Sequence, residues 1–395
     1  INKITKFIAA AAFMGATVSS CSLDQLPLNE VVLENFWTNK EDVQSVVMSC
    51  YVGMQDEAYL KSLIIWGEVR SDNVDNGATK DQELQDLQVG NIKSTASFCN
   101  YEAMYKVINR CNIVMYYAPE VAQKDPNYTE SDLKVNIAEV KALRAITYLN
   151  LIKTFKNVPL VLEPSVDDTQ DYNIPATSFE KIIDALIADL EPVKDDAPKK
   201  NITSGGYTSA QQSSGRITRA AMYSILAELY LWKASDCNLD PAGQADAYRK
   251  CVKCCDWVIN YKREQYKTED FDGVTDMLKV IDSNILAEYN IPLLAEEGGQ
   301  SSGASSAATK GGQAFEAIFN DGNSFESIFE ITYPKSSSAN DPKNRAVSAM
   351  YGGYTSDTKS HSGRVHGNNN LLPSKISNKV YDEKNLFSVT SDYRS

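Results

Sequence analysis

The chain runs to 395 residues, enough to bury a large core in one large or two to three smaller domains, and 43% of them are hydrophobic, as in a globular protein. It carries 52 acidic against 39 basic residues, a net charge of −13. That sign argues against a nucleic acid, or any other polyanion, as partner.

Residues 1–20 begin with Lys3 and Lys6, continue as an apolar run from Phe7 to Val18, and end in Ser19 and Ser20 just before Cys21. The run is too short to span a bilayer, and the three regions together have the form of a cleaved export signal. Small residues before a cysteine also fit a lipoprotein signal, in which Cys21 becomes the acylated mature N-terminus and acyl chains anchor the protein without a spanning helix. The plainer alternative is a secretory signal followed by a chance cysteine. Loss of this segment, with two lysines and no acid, takes the net charge from −13 to −15. Of eight cysteines, seven then remain beyond Cys21, an odd number that excludes a complete disulfide framework.

Residues 21–38 lack helical periodicity and read as an extended tether and loop. Asn39 with Asp42 marks a helix start, and Val43, Val46, Val47, Cys50 and Met54 supply one apolar face to about Glu57. Leu60 to Val69 is a second apolar stretch, ended by the polar run RSDNVDNGATKDQELQD. Its Asp72, Asn73, Asp75 and Asn76 are suited to hydrogen-bonding a hydroxyl-rich ligand or a cation, and equally to a solvated turn. The spacing fails the EF-hand pattern. Helical spacing returns in NYEAMYKVINRCNIVMYY through Tyr101, Tyr105, Ile108, Cys111 and Met115. Tyr101, in the first turn, either packs on the next helix or offers its ring to a ligand.

The stretch from Asn127 to Pro164 organises the rest. Thr129 and Asp132 form a capping box, Asn157 and Pro159 stop the helix, and between them apolar residues occupy more than one stripe, from Ala138, Ala142 and Ala145 to Leu151 and Ile152. Such a helix needs neighbours on at least two sides. Val158 to Leu162 reads as a short extended exit. A further helix is expected over Ser178 to Leu190, with a capping box from Thr177 to Glu180 and Pro192 closing it. Residues 201–215 form a polar loop. Arg216–Ala234 and Ala245–Tyr261 then make a helical hairpin whose small residues, Ala220, Ala227 and Ala247 among them, allow close approach, much as in a tetratricopeptide unit. Cys251, Cys254 and Cys255 lie within that helical pattern, with no histidine nearby and no second CxxC, and read as buried residues, as do Cys50, Cys99, Cys111 and Cys237.

From Gln265 the pattern becomes irregular, with SSGASSAATKGG a flexible insertion. FESIFEITY, residues 325–333, alternates as a strand does. The segments MYGGYTS and HSGRVHGNNN that follow are loop-like. His361 and His366 are the only histidines, and neither a GxSxG elbow nor a third metal ligand accompanies them. Catalysis, a metal and a cofactor have no positive argument in the sequence.

The order LDxxP, FWxxxED, YxxIxxxN, LRAxxYLxL with NVPLV, RITRAAMYSILAELYLW and FESIFEI resembles the SusD/RagB family of Bacteroidetes outer-membrane lipoproteins, over nearly all of the mature chain. The resemblance implies a mainly α fold, a tetratricopeptide-like helical-hairpin array with a second, loop-rich lobe containing short strands. The corresponding divisions are a signal at 1–20, the tether at 21–38, the scaffold at 39–264 and a ligand-side lobe at 265–395. That lobe is incomplete, because the family continues beyond a segment like the terminal DYRS. The resemblance further implies a glycan-binding lipoprotein, not an enzyme and without cofactor, that is lipid-anchored at Cys21, faces outward from the outer membrane and delivers oligosaccharide to a SusC-like TonB-dependent transporter. Its ligand residues would be Asp72 and Asn73 in the SDN segment, Tyr101 one turn before the YxxIxxxN tyrosine, and Tyr351 and Tyr354 in the Gly-rich loop. A lipid-anchored helical-repeat adaptor that binds only protein is the alternative, separated from the first reading by sugar binding.

Overall fold

The computed structural model of the chain describes residues 36–71, 74–76, 81–166, 173–199, 214–268 and 327–333, together with Met350 and residues 371–373. The chain divides into two units, Ile1–Thr38 and Asn39–Ser395. In the described end of the first, the Phe36 and Trp37 rings meet edge to face at 5.3 Å. Cys21, Asp72, Asn73, Tyr351, Tyr354, both histidines, the 301–312 insertion and most of the expected second lobe lie outside the described residues.

The second unit is mainly α. Helix α1 spans Lys40–Met54 and starts on the capping box that its sequence carries: Asn39 Oδ1 accepts from the Asp42 N–H at 3.1 Å, and the Asp42 carboxylate accepts from the Asn39 N–H at 3.0 Å. Helix α2, Glu57–Ile64, is capped by Asp56 and passes into a π-helical turn over Ile65–Val69. Helix α3, Gln82–Gln88, follows with Asp81 as its cap. Helix α4 spans Glu102–Lys124 and helix α5 Glu130–Phe155, the latter with the full Thr129–Asp132 box. Helices α6, α7 and α8 span Phe179–Leu190, Arg219–Asp236 and Pro241–Thr268.

Packing follows the apolar faces. Helix α5 is buried over most of its circumference and touches α1, α4, α6 and α7, which is what its unstriped apolar sequence requires. Ala142, Ala145, Ala220 and Ala227 are all buried. Helices α1 and α4 pack together, as do α4 and α5, α6 and α7, and α7 and α8, in a tetratricopeptide-like array of neighbouring helices. Two short antiparallel pairs join segments distant in sequence. Strand β1, Val74–Asn76, pairs with β4, Leu371–Pro373, in the register Asp75 to Leu372; β2, Val158–Pro159, pairs with β3, Ala176–Thr177.

Several local expectations are corrected. Residues 327–333 of FESIFEITY carry no strand. Alternation supplies two faces but does not choose a partner: the Glu330 N–H donates to Ser214 O at 2.8 Å, Gln55 Nε2 to Thr332 O at 2.7 Å, Tyr333 Oη to Gln55 O at 3.2 Å and Lys262 Nζ to Ser327 O at 3.1 Å, so side chains do much of what a neighbouring strand would do. Ser178 caps α6 without a side-chain bond, and it is Asn157 Oδ1, distant in sequence, that accepts from the Phe179 N–H at 2.9 Å. Helix α4 continues past Tyr117 through Pro119, the missing N–H being offset by the buried Ala118 and Val121. Helix α7 starts three residues late, because Arg216 is drawn out to the buried Glu139, donating at 2.7 Å from Nε and 2.6 Å from Nη2. Of the three cysteines on α8, Cys254 is buried, Cys251 half-buried and Cys255 exposed; Cys99 is also only half-buried.

The segment after α5 explains the spacing of three motifs at once. Its carbonyls have no sheet to join beyond β2, and side chains satisfy them instead. Tyr105 Oη donates to Pro159 O at 2.6 Å, and the Asn112 amide donates to Val161 O and Glu163 O at 3.1 Å each. Tyr148 Oη both donates to Val161 O at 3.1 Å and accepts from the Val161 N–H at 2.7 Å. Arg144, buried beside them, donates to Asn112 Oδ1 at 2.6 Å and to Asp189 at 2.7 Å. The YxxIxxxN and LRAxxYLxL residues therefore face one another across the NVPLV exit as a single hydrogen-bonded unit. Burial raises the Tyr148 phenol to about 12 and lifts that of Tyr105 further, so both stay protonated donors.

Candidate functional site

Above that unit, at the N-terminal end of α4, lies a run of aromatic rings. Tyr101 stands one position before α4 and is held from two sides, its ring 5.4 Å from Tyr105 and 5.3 Å from Phe155 at the end of α5. Phe155 in turn meets Trp66 edge to face at 5.6 Å, and Trp66 meets Phe98 at 5.3 Å. Trp66 is fixed by its indole N–H, which donates to Phe98 O at 3.1 Å. The π turn over Ile65–Val69 is the local device that presents it. Packing therefore immobilises each ring, yet Tyr101 retains 38% exposure. An exposed aromatic ring with a rigid mount can stack on a flat apolar face of a ligand at little entropic cost.

Two clefts flank Phe98. The larger, about 410 Å³, lies between α2 and the start of α4, with Lys61, Ser62, Ser97, Asn100, Glu102 and Lys106 among its walls. Its lysines are paired along the helices, Lys61 with Glu57 at 2.6 Å and Lys106 with Glu102 at 2.7 Å, and its Asp56 caps α2. The hydrogen bond from Lys106, aided by its charge, holds the Glu102 carboxyl below its ordinary value. Asn100 Oδ1 accepts from the Glu102 N–H at 2.8 Å and so supplies the helix start that Tyr101 does not. Tyr101 itself does not line this cleft; only its chain neighbours do. The smaller cleft, about 120 Å³, is walled by residues of α3 and the following loop, including Asp86, Asn91 and Lys93.

Of the expected site residues, Tyr101 alone is described. Its surroundings, however, carry the flanks of the others. Arg70, two residues before Asp72, holds its guanidinium 5.9 Å from the centre of the Trp66 ring. Strand β1, one residue after Asn73, is where β4 returns. Met350, the residue before Tyr351, is buried in a cluster with Val69, Leu84, Leu87 and Phe98, directly under Trp66. Trp66, Phe98 and Phe155 escaped sequence reasoning: each reads as an ordinary apolar residue at its own position, and only their convergence from three segments makes a ring platform. The one available signal was the recurrence of aromatics at segment ends.

Among the described residues no three His, Cys, Asp or Glu side chains group as metal ligands, and no helix is long and apolar enough to cross a membrane.

No protein-family model matches the chain. Two relatives do, both from Formosa agariphila: SusD-like protein P38, 27% identical over 202 residues, and SusD-like protein P2, 23% identical over 223 residues. The matches cover 50% and 54% of this chain, and they span 37% and 41% of the relatives' own length. Solved structures similar to the chain include a SusD superfamily protein from Bacteroides thetaiotaomicron, with TM-score 0.48, 23% identity, 60% of this chain and 50% of that one. Another is surface glycan-binding protein A from Bacteroides uniformis, with TM-score 0.44, 22% identity, 59% of this chain and 47% of that one. With its motif residues assembled as one hydrogen-bonded unit, the chain is similar to two SusD-like proteins over about half of its own length.

Proposed function

We propose that the chain is a glycan-binding protein of the cell surface, which holds an oligosaccharide against Tyr101 and passes it to a SusC-like TonB-dependent transporter in the outer membrane. The observation that carries the reading is the mount of Tyr101: an exposed ring fixed by Tyr105 and Phe155, beside polar clefts. A sugar ring presents a C–H face to an aromatic and hydroxyls at its rim, so the binding protein needs one rigid ring and short polar groups around it. Asp72 and Asn73 are the proposed hydroxyl partners, and Tyr351 and Tyr354 the proposed second wall. The packing of Val69 with Met350 and the pairing of β1 with β4 support convergence of those two chain regions. In this reading Cys21 carries the lipid anchor, the mature protein faces outward, and no bond of the sugar is broken.

Titration of purified protein against a panel of soluble oligosaccharides tests the binding step. One stacking contact is worth about 1 kcal/mol, so Tyr101→Ala is expected to weaken the bound sugar about fivefold, and Asp72→Ala to weaken it as well. A sugar bound equally by wild type and both variants places the site elsewhere. No binding across the panel overturns the glycan reading in favour of a protein-binding adaptor. The anchor is checked by metabolic labelling with a tagged fatty acid, which Cys21→Ala is expected to abolish.

A further inference from the structure

We propose that the cleft between the turn after α6 and the α7–α8 hairpin is a second binding site, which takes an oligosaccharide carrying a single carboxylate. The cleft encloses about 400 Å³, within the range of small-ligand sites. It is built from the short 3-10 turn Glu191–Val193, α7 and α8, so none of its residues belongs to the ring run around Tyr101. Its aromatic wall is rigid. Tyr223 of α7 stacks on Trp257 of α8 at 4.2 Å with 10° between the planes, and Tyr261, one turn further along α8, stacks on Trp257 at 5.2 Å and 17°. The phenols are already committed: Tyr223 Oη donates to Asp195 Oδ1 at 3.1 Å, Tyr230 Oη to Glu191 Oε1 at 2.6 Å and Tyr261 Oη to Lys199 O at 2.7 Å. These bonds fix the rings and leave ring surface, rather than phenol hydroxyls, to a ligand.

The charge of the lining selects the ligand class. In a chain of net charge −13, three lysines, Lys194, Lys250 and Lys253, line this cleft against Glu191 alone. Lys194 pairs with Glu191, and its Nζ lies 5.8 Å from the centre of the Tyr223 ring. Lys250 pairs with Asp246 at 2.9 Å, and its Nζ lies 5.6 Å from the centre of the Tyr230 ring. Lys253 is exposed and, among the described residues, has no acidic partner. Four residues on, Trp257 lies on the same face of α8; it is half-buried, and among the described residues its indole N–H has no acceptor. One ammonium and one N–H donor thus stand a helical turn apart beside a fixed ring stack, the groups that a carboxylate and a neighbouring hydroxyl require. A single charge suits the site, because the other two ammonium groups have partners and the acidic chain as a whole repels a long polyanion. The ring wall offers a surface to the C–H face of the sugar that bears the charge, which a bare inorganic anion would leave unused. The proposal does not rest on the reading of Tyr101.

The full chain is titrated calorimetrically with cellobiouronate, with cellobiose as its uncharged match, and with inorganic phosphate. Each titration is run in wild type and in Tyr101→Ala, so that a sugar held at Tyr101 is told apart from one held in this cleft. In both backgrounds cellobiouronate is expected to bind, with affinity falling as salt is raised, and in Tyr101→Ala it should bind at least about tenfold more tightly than cellobiose. Lys253→Met, which keeps the side-chain stem at an exposed position, is expected to weaken cellobiouronate about tenfold and to leave cellobiose unchanged. Trp257→Phe, which keeps a ring and removes the N–H, is expected to weaken it about threefold to tenfold. No cellobiouronate binding up to about 10 mM overturns the proposal, as does equal binding of the two disaccharides in Tyr101→Ala. Cellobiouronate weakened by Tyr101→Ala and untouched by Lys253→Met overturns it too, by placing the acid at the other site. Phosphate bound as tightly as cellobiouronate marks a simple anion site and overturns the sugar assignment.

Discussion

Asn112 shows how much a single side chain carries. It is 1% exposed, donates to two exit-segment carbonyls and accepts from Arg144. Asn112→Ala removes the bonds to Val161 O, which keeps Tyr148 Oη, and to Glu163 O, and takes one acceptor from the buried Arg144 guanidinium, which keeps Leu162 O and Asp189; each lost hydrogen bond costs about 1 kcal/mol. A loss of about 2–3 kcal/mol in urea denaturation is expected, larger than that of a typical surface change. Asp125 works through charge. Its carboxylate accepts from the Asn127 and Lys40 N–H groups, both at 2.9 Å, and these bonds hold it below the ordinary aspartate value. Because the folded state binds the proton less well than the unfolded, the stabilisation is complete above about pH 4 and fades as the pH falls below that. Thermal melts of wild type and Asp125→Asn should accordingly differ at pH 6 and draw together as the pH falls below the ordinary aspartate range.

Among the elements, α5 is the one whose register matters most. Ala145 is 1% exposed on a helix with neighbours on several sides, so a larger side chain there has nowhere to go. Ala145→Leu is expected to cost about 1–3 kcal/mol by overpacking, read as a lowered Tm, while an unchanged Tm would put that face in solvent. The end of the same helix is decided by contacts beyond it. Lys156 takes a positive φ of 64° without being glycine. Its ammonium pairs with Asp236 and lies 4.7 Å from the centre of the Phe179 ring, so contacts to α6 and α7 offset the backbone cost. The next residue, Asn157, spends its side chain on the start of α6. The short loop between α5 and β2 is thus a junction of three helices.

At the scale of the molecule, the sequence by itself determined the elements and their burial. Capping boxes at Asn39 and Thr129, the all-round apolar pattern of α5 and the small residues of α7 depend on spacing within one segment, and that spacing is preserved on folding. The motif order that resembles the SusD/RagB family is legible for the same reason. Tertiary structure alone decided which groups meet. No local rule links Asn157 to the Phe179 N–H, Arg216 to Glu139, or 327–333 to Gln55 in place of a strand partner. The ring platform is likewise a property of convergence: Tyr101 was visible as a first-turn aromatic, but Trp66, Phe98 and Phe155 acquire a shared role only when a π turn, a loop and a helix end are brought within ring contact. Periodicity encodes which face is buried. The partner on that face is chosen by packing and hydrogen-bond satisfaction across the whole array, and neither is local.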